Sequence, residues 1–158
     1  MTPQPGTGRP GAPRLGWPVW AAVAAGAFAG AEARYGLLQV FAPEPGSVDW
    51  ATLGINAGAS LALGFLTSWW LSRPQTPFWL KAGLGPGFLG SFSTFSALAL
   101  SLELPLSAGR HGVWISSLTL SLAGGLAAAA AGLWLGSRAG AAAAVRRRSV
   151  RRHPGDVS

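Results

Sequence analysis

Four long apolar stretches, separated by short segments rich in Pro, Gly and polar residues, organise the chain. They run from Trp17 to Val40, Trp50 to Leu71, Phe78 to about Leu104, and Gly112 to Gly136. Ala42-Pro43-Glu44-Pro45-Gly46-Ser47 closes the first, Ser72-Arg73-Pro74-Gln75-Thr76-Pro77 closes the second, and Pro105 marks the end of the third. A hydrocarbon core about 30 Å thick needs about 20 residues of helix, so each stretch is long enough to span. Trp17, Trp20, Tyr35, Trp50, Trp69, Trp70, Trp79, Trp114 and Trp134 lie near the ends, as interfacial anchors do. None of the stretches carries the charged stripe of an amphipathic helix in a soluble bundle. The pattern predicts an all-α membrane protein of four transmembrane helices. A break is expected in the third, at Gly85-Pro86-Gly87, because Pro86 removes a backbone donor and clashes with the preceding turn.

Composition supports a lipid environment. Of the 158 residues 49% are hydrophobic and 11% charged, too few charges to cover a soluble surface, where about 25% is usual. Without cysteine there is no disulfide framework and no thiolate chemistry. The two histidines fall at positions 111 and 153, outside the spans, so no metal or acid–base constellation forms within the membrane and no enzyme is visible. The first span is too long for a signal peptide and carries Glu32 and Arg34 before any cleavage site, so it is expected to remain.

The net charge of +7 changes the picture only once it is located. A Pro/Gly-rich, disordered N-terminal tail over 1–16 and a basic tail over 138–158, disordered from about Ala141, flank a four-helix domain at 17–137. With four spans, ten of the twelve Lys/Arg residues fall on the side of the two termini, against Arg110 and Arg34 on the other. Both termini are therefore expected in the cytoplasm of a multi-pass cell-membrane protein. No aromatic residues interleave with the tail arginines, which favours lipid headgroups over nucleic acid as their partner.

Polar residues inside the spans are the functional candidates, because they are costly in lipid. Gly26, Gly30 and Arg34 share one face of the first span, where the glycines allow close helix approach; Arg34 lies on that packed face or snorkels to the interface. In the second, Thr52, Asn56 and Ser60 form a polar stripe beside the small-residue stripe Gly54 and Gly58. Asn56 suits either a helix–helix hydrogen bond or donation to an anion. Unwound backbone in the Gly/Ser/Thr-rich third span would free carbonyls for a cation. The fourth span aligns Ser117, Ser121 and Gly125.

Gly87-Phe88-Leu89-Gly90-Ser91-Phe92-Ser93-Thr94-Phe95-Ser96 resembles the G-F-x-G-G-F-T-T-F-S-T-F signature of the Fluc/CrcB fluoride ion channel family. Gly30-Ala31-Glu32-Ala33-Arg34-Tyr35, Thr52-Leu53-Gly54-Ile55-Asn56 and Gly58-Ala59-Ser60-Leu61-Ala62-Leu63-Gly64-Phe65 are similar to three further family segments, in order. The resemblance covers about Val19 to Gly136. It implies an antiparallel dimer with two narrow fluoride pores, which lowers cytoplasmic fluoride by passive efflux and confers fluoride resistance. It also implies a structural Na⁺ between subunits, held by main-chain carbonyls corresponding to Gly90 and Ser93. Asn56 corresponds to the pore amide, Phe95 to the first pore phenylalanine, Arg34 to the family arginine, and Thr52, Ser117 and Ser121 to polar pore positions. Gly30 and Gly58 correspond to packing positions.

Leu98 falls on the second pore phenylalanine, Ser117 on a frequent tyrosine and Gly125 on a serine. Dual-topology members carry balanced Lys/Arg, whereas this chain is strongly one-sided, so one-way insertion and pairing with an oppositely oriented paralogue are expected. Two other functions compete: a non-conducting pairing subunit, and a proton-coupled small multidrug transporter using Glu32.

Overall fold

The computed structural model describes residues 16–41 and 47–151, with side chains of the last helix described through 143. The predicted disorder of residues 1–15 and the turn at 42–46 lie outside the described residues. All regular structure among the described residues is helical. Helix α1 (Trp17–Val40) starts behind Gly16 with Pro18 in its first turn, where a missing N–H costs nothing. Helix α2 (Trp50–Leu71) is capped by Asp49, whose Oδ1 accepts from the Thr52 amide at 2.9 Å.

The third span is assembled in pieces: α3 (Phe78–Ala82), a π-helical segment (Gly83–Leu89), α4 (Gly90–Phe92) and α5 (Phe95–Ser107). The break expected at Gly85-Pro86-Gly87 is not there. The chain passes through Pro86 as a wide π turn, in which the Gly90 amide reaches back to the Gly85 carbonyl, and this accommodates the ring and its missing donor. The interruption comes at Ser93 and Thr94, which are extended at φ/ψ of −75°/152° and −147°/122°. Nor does Pro105 end the span. It lies buried inside α5, removing one bond near the helix end, and the helix runs to Ser107. Gly109, at φ 70°, then reverses the chain; the Arg110 amide donates to the Pro105 carbonyl and that of Gly109 to Leu106, a closure that a left-handed glycine permits.

Helix α6 runs from His111 to Arg151. It therefore continues through the region expected to be disordered from Ala141, because the alanines at 141–144 are the strongest of helix formers.

Among the described residues, three segments are long and apolar enough to cross a membrane: Trp50–Leu71, Phe78–Ser107 and His111–Ala143. At 24 residues α1 has the length to span, but Glu32, Arg34 and its Trp, Pro and Gly content leave it less apolar. Large side chains such as Leu63, Leu100, Leu122 and Leu126 point outward, as in a protein whose solvent is hydrocarbon.

The helices pack as two interleaved pairs. α1 lies along the π segment, α3 and α4; α2 lies along α6. Small residues make both interfaces. A Cβ at Gly26 would run into the Gly83 carbonyl and one at Gly30 into that of Phe88. On the other pair, a Cβ at Gly64 would meet the Ala129 carbonyl, and those at Gly132 and Gly136 the carbonyls of Leu61 and Phe65. With no hydrophobic drive between helices in lipid, backbone-close packing of this kind is the main source of cohesion. Residue numbers rise together along both members of each pair, so each pair is parallel.

Candidate functional site

The site is built where α2 meets the break in the third span. Asn56 sits in the first half of α2, and its amide grips Thr94 from both sides. The Thr94 N–H donates to Asn56 Oδ1 at 2.9 Å, and Asn56 Nδ2 donates to the Thr94 carbonyl at 3.2 Å. A primary amide presents one acceptor and two N–H donors, so one donor remains for another ligand. The sequence left open whether Asn56 serves helix association or an anion. The structure shows the first use and leaves a proton for the second.

Thr94 does a second job as the N-cap of α5, its Oγ1 accepting from the Ala97 amide at 3.3 Å and lying 2.9 Å from Ser96 Oγ. The Ser93 hydroxyl donates to the Leu89 carbonyl at 2.9 Å. In an unbroken helix the Thr94 amide would close on the Gly90 carbonyl and the Ala97 amide on that of Ser93. Both amides instead go to side chains, so the two carbonyls expected to hold a cation have lost these helical donors.

The polar stripe of α2 meets α6 at Ser60. A Cβ at Gly125 would lie 3.9 Å from Ser60 Oγ, and Gly64 faces Ala129, four residues further along each helix. Thr52 and Ser117 are the two buried polar residues among those described, at 2% and 4% exposure, and Ser117 Oγ has no hydrogen-bond partner there. Buried hydroxyls without partners are uncommon and call for a reason. Ser121 and Asn56 are half-buried.

Other predicted residues are placed differently. Gly30 packs as expected, buried against Phe88, and Arg34 one turn further on is half-buried. Gly58, expected to pack, faces open space, as does Gly54; a Cβ at either would meet nothing within 4 Å. Both line a cavity of about 650 Å³ between the end of α1 and the first half of α2, with Leu37, Trp50, Ile55 and Phe92. The face they were expected to pack is thus left uncovered by the chain itself. Phe95 is 82% exposed and turned away from the chain's interior, while Phe92 stacks on Phe88 at 5.7 Å. Glu32 is exposed.

Sequence reasoning missed Thr94 as partner of Asn56, and the stripe Gly132, Gly136 and Gly140 on α6. The four-residue spacing of those glycines was the available signal. The link between Asn56 and Thr94 had none, because it depends on tertiary contact across 38 residues.

These features define an all-helical, multi-pass membrane protein with a broken span held by a polar side chain from its neighbour. A family model described as "CrcB-like protein, Camphor Resistance (CrcB)" matches residues 21–133. The chain belongs to the CrcB family. It is 43% identical over 83 residues to a protein of Thermobifida fusca named fluoride-specific ion channel FluC 2, a match covering 52% of this chain and 62% of that one. It is 39% identical over 96 residues to the FluC 2 of Geobacillus kaustophilus, covering 60% and 74% respectively. A FluC 1 of Symbiobacterium thermophilum is 37% identical over 94 residues, covering 58% and 76%. The match thus spans less than two thirds of the Thermobifida fusca protein. The named relatives are ion channels and not enzymes.

Proposed function

We propose that the chain is a subunit of a fluoride-selective channel that lowers cytoplasmic fluoride by passive efflux, and that α1 also crosses the membrane, giving four spans with both termini in the cytoplasm. The observation that carries this reading is the grip of Asn56 on the broken third span, which leaves one amide donor spare on the helix pair that also buries Thr52 and the unpartnered Ser117 hydroxyl. Fluoride is small and binds its water tightly, so a pore has to replace that water with convergent donors. Asn56 Nδ2, the unpartnered Ser117 hydroxyl, Ser121 and Thr52 offer such donors, and the positive edge of the Phe95 ring offers a weaker one. The exposure of Phe95 supports a pore completed by a second subunit rather than inside one chain.

In this reading a structural Na⁺ lies between two antiparallel subunits. The residues fit it: a hard cation takes oxygen ligands, and the Gly90 and Ser93 carbonyls are the ones deprived of their helical donors. Bound there, the ion would hold the two breaks together and supply positive charge beside the anion path. The open glycine face around Gly54 and Gly58 supports a close helix from the second subunit.

Efflux from liposomes read with a fluoride electrode tests the function. Passive fluoride loss that requires Na⁺ is expected; flux driven by a proton gradient and carrying organic cations instead would overturn it in favour of the transporter.

The one-sided charge favours a second subunit that is a paralogue, and the numbering of relatives as FluC 1 and FluC 2 supports this. If so, the chain inserts one way, and a partner supplies the aromatic edge missing at Leu98. The absence of native cysteine makes the test clean. Single cysteines placed at Thr2 and at Ser158 should label from the cytoplasmic side only when the chain is expressed alone. Substantial labelling from both sides would restore the homodimer, and silence alone with activity beside a paralogue would fit a pairing subunit.

A further inference from the structure

The end of the bundle where α2 stops carries arginines to which the chain itself gives no counter-charge. Arg73 follows α2 directly, and Arg138 lies half a turn before Gly140, where a Cβ would run into Ser72 at the end of α2. Trp69, Trp70, Trp79 and Trp134 lie at the same end, as a belt at the headgroup layer does.

Both guanidiniums are laid on tryptophan. Cζ of Arg73 stands 4.5 Å from the centroid of the Trp69 ring and that of Arg138 3.9 Å from Trp134, each ring one helical turn nearer the middle of the membrane. Phe65 stacks on Trp69 at 6.1 Å, so two rings and a guanidinium form a ladder along α2. An arginine that only escaped hydrocarbon would reach outward to water. These two fold back over a ring on the hydrocarbon side, which keeps them at headgroup depth.

Stacking covers a face of the guanidinium and leaves the N–H donors, which lie in its plane, pointing outward. Among the described residues neither guanidinium makes a hydrogen bond or an ion pair, and Arg73 does not cap the carbonyls that end α2. The described carboxylates are remote. Asp49 caps the opposite end of α2, Glu103 lies near the far end of α5, and Glu32 is in the second half of α1.

We propose that Arg73 and Arg138 are seats for the phosphate groups of anionic phospholipid, each held ready by its tryptophan. A phosphate takes two parallel N–H donors from one guanidinium, and here the fork is ordered before the lipid arrives. Lipid rather than free phosphate is the occupant, because the donors lie within the tryptophan belt, where Trp134 and Leu71, 53% and 80% exposed, offer apolar surface to acyl chains. These seats depend only on the chain lying in a membrane, not on which ion it conducts or which way it inserts.

The readout is thermal unfolding of the purified full-length protein in neutral detergent, with phosphatidylglycerol or phosphatidylcholine titrated into the micelles. Phosphatidylglycerol should raise the midpoint at mole fractions where phosphatidylcholine does not. Arg73→Gln and Arg138→Gln should each raise the phosphatidylglycerol needed for half the effect about fivefold, the equivalent of about 1 kcal/mol for one arginine at an anionic surface. Arg138→Lys keeps the charge and loses the planar fork, while Trp134→Leu keeps the arginine and loses its support. Each should raise the half-point about twofold or more. Arg110→Gln, the same charge change at the opposite end, should leave it unmoved.

If Arg73→Gln does not fold, the Arg138 variants, made on an exposed side chain, carry the comparison. An unmodified protein that responds equally to the two lipids overturns the proposal, as does equal stabilisation by inorganic phosphate. An Arg110→Gln shift as large as that of Arg138→Gln, or Arg138→Lys and Trp134→Leu proteins that match the unmodified one, would reduce the effect to general charge attraction and overturn it as well.

Discussion

Asn56→Asp should abolish fluoride efflux from liposomes while leaving the subunit folded. The carboxylate still offers an oxygen to the Thr94 amide, so half of the grip on the break survives. What changes is the other amide atom, proposed to face the ion path, where an N–H donor gives way to an oxygen carrying negative charge. Two like charges about 4 Å apart, at an effective dielectric of about 20, repel by about 4 kcal/mol, and each 1.4 kcal/mol is tenfold in occupancy. The expected loss is therefore on the order of a thousandfold, below the leak of empty vesicles. A fluoride electrode reads the flux, and size-exclusion chromatography in detergent checks that the protein is intact. Unchanged flux in a folded Asn56→Asp protein would remove Asn56 from the ion path and leave it a purely helix-joining residue.

Gly132→Val should prevent the subunit from folding, whereas Gly58→Val should not. A Cβ at Gly132 would be driven into the Leu61 carbonyl and lie 2.8 Å from the Phe65 amide nitrogen, and neither backbone atom can swing aside. The α2–α6 pair would have to separate along its length and give up the close contacts that hold it together in lipid. Overpacking of this kind costs about 3 kcal/mol or more where backbone blocks the way, a large share of a subunit's stability. At Gly58 the same group enters open space. There the subunit's helicity and monodispersity should persist, with the loss appearing in assembly with a second subunit, since the added bulk stands on the uncovered face. Fluorescence-detected chromatography and dimer cross-linking distinguish the two outcomes. A Gly132→Val protein as stable as the unmodified one would mean that α2 and α6 do not pack in this register.

Much of this architecture is legible in the sequence because lipid leaves a helix few choices. The bounds of α1 and α2 match the apolar stretches from Trp17 to Val40 and Trp50 to Leu71, since every backbone group in hydrocarbon has to bond within its own segment. Gly26 and Gly30 announce the contact with the third span by their spacing alone. The break was misplaced because Pro86 is the loudest local signal, yet a π turn accommodates it, while the real interruption at Ser93 and Thr94 is made by a side chain from another helix. The same limit applies to Gly58. Its spacing says that something packs there and cannot say that the partner is absent from the chain. The run of α6 to Arg151 was hidden by the arginines, whose charge suggested a solvated tail while the preceding alanines favoured helix.

The interleaving of the helix pairs has a bearing on how the protein is made. α1 finds its partner only when Gly83 to Phe92 has been synthesised, and α2 waits for a helix that begins at His111. Neither neighbour in sequence is the principal neighbour in space, so no pair can close as a hairpin behind the insertion machinery. During that interval Asn56 stands in the membrane without the backbone of Thr94 to receive it, an uncompensated amide until Thr94, 38 positions further on, has been made. Insertion of each span and its association with its partner are thereby separated in time.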